Sequence, residues 1–278
     1  MLKKITEKQV REIHETLIYH DELTDQTKAS VEFVVLKHPM SQNNAGESDH
    51  PVNSFLFNLD EGVDDVVSLG KSFDAILVKA FKQREHIEDG RLTCSSPFIP
   101  GVEGKEGTRF GLCSKCRFAN NMDRTAPRDE KCMSTTRLLF IFESNGEFFL
   151  GSLKAGGGKE VPLKEEITNL SKEVRGKTSK YLVKISTKSL KNKDGKKYKG
   201  YSLKKSGELE NASAELTKAI KELGKNYNQY LLEKFETTKT ALENEEEEEE
   251  NGESATALPE EPDTPDAKPD DEDDDLLY

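Results

Sequence analysis

Arg137-Leu-Leu-Phe-Ile-Phe-Glu143, followed by Ser144-Asn145-Gly146 and Glu147-Phe-Phe-Leu-Gly-Ser-Leu153, decides the fold class of this chain. Two apolar runs of strand-forming residues flank an Asn-Gly pair, the dipeptide that supplies positive φ for a two-residue hairpin turn. Downstream, a glycine-rich break at 156–158 precedes Pro162, and Leu163, Ile167, Leu170 and Val174 recur at helical spacing. Residues 181–188 and 197–203 read as two more strands around a turn at Asp194-Gly195. In the first of them Tyr181, Val183, Ile185 and Thr187 share a core face, and Lys184, Ser186 and Lys188 share a basic one.

Upstream, Phe73-Asp-Ala-Ile-Leu-Val-Lys-Ala-Phe81 has strand composition. Strands near 73–81, 137–143, 147–153, 181–188 and 197–203, with a helix between the third and fourth, follow the element order of an OB barrel. The expectation is a mainly β chain with added helices (α+β): a five-stranded OB-like barrel with a metal-binding insertion, a C-terminal helix and a disordered acidic tail. A small α+β domain with a zinc ribbon is the competing architecture.

Outside this core, residues 3–23 carry Ile5, Val10, Ile13, Leu17 and Ile18 at amphipathic-helix spacing, and Val31-Glu-Phe-Val-Val-Leu36 reads as a strand. Residues 39–51 form a polar loop, and His14, His20, His38 and His50 receive no role. Residues 208–236 carry an apolar stripe from Leu209 to Phe235, which predicts a long closing helix. The resulting organisation is an N-terminal helix and strand region (1–60), an OB-like core (61–207) with an insertion at about 94–132, a C-terminal helix (208–242) and a tail (243–278). Six consecutive glutamates followed by Pro, Asp, Ser and Thr predict no folded structure beyond Glu243.

Cys94, Cys113, Cys116 and Cys132 all fall in one 39-residue window, and the middle pair has C-x-x-C spacing. Two disulfides require an oxidising compartment, and four unrelated core thiols leave the clustering unexplained. Thiolates at these spacings fit a closed, structural zinc site, with His86 as a weaker rival ligand. A redox C-x-x-C does not fit, because no apolar strand places the pair at a helix start. Four thiolates leave no open coordination position, so the metal would organise the loop carrying Lys105, Arg109, Lys115, Arg117, Arg124, Arg128 and Lys131 rather than catalyse.

The formal charge of −12 conceals a basic body. Residues 243–278 hold eighteen acids and one base, Lys268; without them 40 bases face 35 acids, a net +5. Residues 175–205 alone carry twelve bases against one acid, Asp194. Lysines along such strands neutralise phosphates and release counterions, giving salt-sensitive affinity without sequence choice. Tyr181, Tyr198 and Tyr201 are interleaved with them, and aromatics beside a basic track stack unpaired bases. The plainer alternative is a solvated edge that prevents sheet aggregation. The expected DNA contacts are Arg137, Phe142, Phe149, Tyr181, Lys184, Lys188, Lys191, Lys197, Tyr198, Lys199 and Tyr201; alternation separates Phe148 from Phe149, and Phe140 is equally open to a core role.

Enzyme signatures are thin. Ala155-Gly-Gly-Gly-Lys159 lacks the full phosphate-loop pattern and reads as a turn, and no Ser/His/Asp set or paired acids mark a cleft. No apolar run is long enough to span a membrane, and Met1-Leu-Lys-Lys leads into a charged segment, so a soluble, cytoplasmic protein is expected.

The cysteines ahead of the strand pair, Arg137-Leu-Leu-Phe-Ile-Phe-Glu, Tyr181-Leu-Val-Lys-Ile-Ser-Thr-Lys-Ser-Leu with its basic hairpin, and the acidic tip together resemble phage-encoded single-stranded DNA-binding proteins over about residues 70–205 and the tail. The resemblance implies an OB fold, action in the cytoplasm of an infected bacterium, coating of DNA during replication, recombination and repair, and a tail that contacts the enzymes of those processes. The tip Asp273-Asp274-Asp275-Leu276-Leu277-Tyr278 is the expected partner-binding element, an apolar anchor behind charge. In zinc-bearing relatives of large tailed phages the metal set includes a histidine, whereas here four cysteines suffice at different spacings. The tip also ends in Leu-Leu-Tyr where bacterial single-strand binders end in Pro-Phe. Two other classes remain open: a zinc-containing RNA-binding or transcription-regulatory factor, and an acidic inhibitor of a host protein. The N-terminal apolar stripe fits either self-association along DNA or packing onto the barrel.

Overall fold

The computed structural model describes residues 2–18, 34–35, 54–58, 66–89, 91–121, 123, 126–191, 195 and 197–253. In chain order these form α1 (Glu7–Ile18), β1 (Val34–Val35), β2 (Phe55–Asn58), β3 (Val66–Gly70), β4 (Ser72–Glu88), β5 (Arg91–Pro97), β6 (Glu106–Gly107), β7 (Gly111–Leu112), α2 (Arg117–Asn120), β8 (Met133–Ser144), β9 (Glu147–Gly156), α3 (Glu160–Glu173), β10 (Tyr181–Lys191), β11 (Lys197–Glu208) and α4 (Ala214–Glu253). The chain is mixed α+β, mainly sheet with a few helices.

The main sheet runs β1-β9-β8-β4-β10-β11, with β5 also on β4. Its axis is β4, a 17-residue strand that pairs with β8 along one edge. The other edge is shared: residues 72–75 pair with β10, and residues 83–88 pair with β5. The β8–β9 hairpin turns at Asn145 and Gly146, both at positive φ (52° and 86°), as the Asn-Gly pair demands.

Side chains of β8 alternate between two cores. Leu138, Phe140 and Phe142 face a core shared with Phe55 and Phe57 of β2 and with Leu163 and Leu170 of α3. Leu139 and Ile141 face a second core built with Ile5, Val10 and Ile13 at the N-terminus and Leu216, Ile220, Leu223 and Tyr227 of α4. Burial on both faces explains why β8 reads as a nearly continuous apolar run.

Local signals set the helix ends. Thr6 and Gln9 form a reciprocal capping box at α1, with Thr6 N–H donating to Gln9 Oε1 at 2.9 Å and Gln9 N–H to Thr6 Oγ1 at 3.3 Å. Ser213 Oγ accepts from Leu216 N–H at 3.0 Å to open α4. Beyond α3 the chain reverses through Arg175 and Gly176, both at positive φ, and Gly176 N–H donates to Ser171 O at 2.7 Å.

Several expectations change. Within the amphipathic segment 3–23 the chain forms a short 3₁₀ turn at Leu2–Lys4 and then α1, and Ile5, Val10 and Ile13 pack into the second core. The strand expected at 31–36 is described at Val34–Val35, which pairs in parallel with β9. The β2–β3 hairpin was not foreseen, and its Phe55 and Phe57 are fully buried in the first core. The main sheet has seven strands, and among the described residues β9 and β11 do not hydrogen-bond as strands, so no closed barrel is found. The closing helix starts at Ala214 and continues through the glutamate run to Glu253, past the predicted end at Leu242, because glutamate is a good helix former and no glycine or proline stands between Glu243 and Gly252. Residues 254–278, including the whole tip, lie outside the described residues, as do His20, His38, His50 and the loop 39–51. Among the described residues no helix is long and apolar enough to cross a membrane.

Candidate functional site

Between β5 and β8 the chain forms a small module: the β6–β7 hairpin, the turn carrying Cys113 and Cys116, and α2. It brings the four predicted cysteines to one place. Cys94 on β5, Cys113 and Cys116 after β7, and Cys132 just before β8 line a single small apolar cavity together with Arg84, Gly107, Phe110 and Ala119. All four are free thiols, with Cys94 and Cys113 buried. Burial, and after it the neighbouring Cys116, Cys94 and Cys113 groups, push the Cys132 thiol up to about 12, while the Arg84 charge acts in the opposite sense.

The turn geometry follows from backbone bonds. Cys113 N–H donates to Lys105 O at 2.8 Å, Cys116 N–H to Leu112 O at 3.1 Å, and Cys132 N–H to Phe118 O at 2.9 Å. Gly107 makes room for Cys94: a Cβ there would sit 2.6 Å from its Sγ. Four soft sulfur donors lining one small cavity fit a tetrahedral zinc ion. Among the described residues no three thiol, imidazole or carboxylate groups are drawn together as a formed metal cluster. The fit therefore rests on the donor set and on its convergence.

His86 pairs with Cys94 across β4 and β5 yet lies outside the cavity lining. Its ring stacks on Phe118 at 3.9 Å and touches Phe110 at 5.6 Å, fully buried. Its buried Nε2 has no hydrogen-bond partner, so His86 stays a rival to the four-cysteine set.

Helix α4 holds the module to the sheet. Phe235 packs with Ile99 and Val102, Leu232 lies under Gly101, and Lys239 Nζ bonds Glu106 at 2.8 Å. The helix leading into the acidic tail thus also clamps the cysteine module.

The predicted nucleic-acid contacts separate into two groups. Lys184, Lys191 and Lys197 are exposed along the β10–β11 hairpin, and Lys199 and Tyr198 are half-exposed. Tyr198 Oη donates to Gly158 O at 3.1 Å, which fixes the hairpin to the turn Gly157–Lys159 before α3. Tyr181 is half-buried, with the Lys205 ammonium 4.2 Å from its ring centroid. Lys188 is engaged by Glu166 of α3.

The others pack or pair within the protein. Phe142 and Tyr201 are 0% and 1% exposed and belong to the first core, so both are corrected from contact to core residues. Phe149 packs against that same core and Phe148 against the second, as alternation requires; Phe140 is fully buried. Arg137 pairs with Glu85 at 3.3 Å, and Lys154 reaches the other oxygen of that buried carboxylate at 2.8 Å. The face split expected for β10 holds: Tyr181, Val183 and Ile185 face the first core and Leu182 the second, with a register shift between Leu182 and Val183.

Sequence reasoning missed Arg84, Gly107, Phe110 and Phe118, which complete the cysteine module. Only the glycine has a sequence signal, a small residue inside the ligand window. Comparison with protein families, with curated proteins and with solved structures finds no match.

Proposed function

We propose that this chain is a non-enzymatic, sequence-nonspecific single-stranded DNA-binding protein. Its basic β10–β11 hairpin and zinc-pinned cysteine module would hold the strand, and its acidic tail would compete with DNA and recruit replication and recombination proteins. The observation that carries this reading is the hairpin: Lys184, Lys191, Lys197 and Lys204 are exposed beside the half-exposed rings of Tyr181 and Tyr198, with the Lys205 ammonium over the Tyr181 ring. Ammonium groups on a strand pair meet successive phosphates, and the rings offer π faces to bases without choosing among them.

The strand order supports an OB-like scaffold. Taking β4, β8, β9, β10 and β11 as its five strands gives the order 3-2-1-4-5 with α3 between the third and fourth. On that reading β9 and β11 meet through side chains, with Tyr201 Oη reaching Lys154 O at 3.4 Å, instead of through a ladder. The cysteine module then occupies the loop between strands 1 and 2, and the basic hairpin the loop between strands 4 and 5, the two loops with which OB folds grip oligonucleotides.

Zinc, held by Cys94, Cys113, Cys116 and Cys132, would supply a rigid cross-link for a loop that has little apolar core of its own. The residues of the chain do the binding: lysines neutralise phosphates and tyrosines stack. A competition assay between labelled oligo-dT and unlabelled single-stranded DNA, single-stranded RNA and duplex tests the proposal. Displacement by single-stranded DNA of any sequence, and weakly by duplex, is expected; preferential displacement by RNA would move the assignment to an RNA-binding factor.

A further inference from the structure

One aromatic beside the thiol cavity is not used by the reading above. Among the described residues Leu92, Phe98, Leu112 and Val161 are the large apolar side chains left exposed, and Phe98, at 39%, is the aromatic one. Its position is fixed from three sides. Its backbone N–H donates to Lys82 O at 2.9 Å. The Arg84 guanidinium lies over the ring, 5.7 Å from the centroid. The distal edge of the ring abuts Gly104, where a Cβ would stand 2.5 Å from Cε2 and Cζ and where φ is +68°. Only glycine satisfies both the contact and the backbone conformation.

A ring that merely filled space would be drawn into the core; this one is held rigid, partly in water, with a cation against it. A short chain of contacts joins it to the basic hairpin. Tyr198 reaches Gly158 next to the start of α3, and Glu160 of α3 accepts from Ser134 Oγ at 2.8 Å and from Thr136 Oγ1 at 3.3 Å. Ser134 and Thr136 are the β8 partners of Arg84 and Lys82, which flank Phe98.

We infer that Phe98, backed by Arg84, is a stacking platform for one unpaired nucleobase, carrying the bound strand from the hairpin onto the cysteine module. The inference rests on the single-strand-binding reading and adds a base-contacting subsite to it. Lys82, exposed beside the ring, is placed to meet the adjoining phosphate.

The chain contains no tryptophan, so Phe98→Trp in the full-length protein gives a single reporter at this position. Its emission should be quenched when oligo-dT binds, and not by an abasic oligomer of equal length bound to the same extent, with binding followed separately by anisotropy of an end label. Phe98→Ala should weaken oligo-dT binding on the order of tenfold and leave abasic binding unchanged, since only stacking is removed. Binding of oligo-dT by F98W without quenching, or equal losses by F98A for the two oligomers, would overturn the subsite while leaving the parent reading intact. Failure of the wild-type protein to bind oligo-dT at all would overturn both.

Discussion

Glu166 of α3 accepts a hydrogen bond from Lys188 Nζ of β10 at 2.5 Å, and the same carboxylate accepts from Leu203 N–H of β11 at 2.9 Å and from Ser202 Oγ at 3.2 Å. One helix acid therefore fixes both strands of the basic hairpin and takes Lys188 out of the ligand-facing set. Burial alone would raise this carboxyl, but Lys188, the Leu203 N–H and Ser202 together hold it below its ordinary value. A lowered folded-state pKa stabilises fully above the ordinary glutamate value of about 4.3 and is lost as pH falls through the lowered one. Glu166→Gln should cost on the order of 1–2 kcal/mol near neutrality. The gap in thermal midpoint between variant and wild type should close as the pH is taken below 4, and a gap of constant size across that range would argue against the charged contact.

The exposed lysines carry the electrostatic part of the account. Single-strand binding loses about 0.7 in the slope of log K against log salt for each phosphate contact removed. Replacing Lys184, Lys191 and Lys197 together with glutamine should therefore flatten the slope by roughly 2 and weaken binding at low salt. A titration series from 50 to 300 mM salt reads this directly, and an unchanged slope would place the groove elsewhere.

For the cysteine module, metal content by elemental analysis should be one zinc per chain, falling to none in the Cys113→Ser/Cys116→Ser double variant, with a lower thermal midpoint because coordination contributes directly to folding. Gly107→Ala is the subtler probe. Its Cβ would press on Cys94 Sγ at 2.6 Å, so zinc should leave the variant at a lower chelator concentration than it leaves wild type. Zinc retained by the double variant would refute the four-thiol site.

The β8–β9 hairpin was legible because Asn145-Gly146 sits between two apolar runs, and the gathering of the four cysteines around one cavity because they cluster in one short window. The C-terminal half of β4 was not legible. Gln83, Glu85 and His86 look like loop residues, yet all three are buried, with Glu85 neutralised by Arg137 and Lys154 from strands far along the chain. Arg84 escaped notice for the same reason, because its place at the cavity depends on a strand pairing that no local pattern announces. Phe142 and Tyr201 were misassigned because period-2 reasoning gives two faces without saying which is wet, and here both faces of the central strands are covered. The extent of α4 depends on glutamate's helix propensity outweighing repulsion within the run, a balance that composition alone misread as disorder.

The most direct test of the central claim is fluorescence anisotropy of labelled oligo-dT and of its duplex counterpart across a salt series, with full-length protein and with a version ending at Leu242, which keeps the Phe235 and Lys239 contacts of α4. Single-strand binding should fall steeply with salt, exceed duplex binding, and tighten when residues 243–278 are removed. Absence of oligo-dT binding by both forms, or equal affinity for duplex, would contradict that claim.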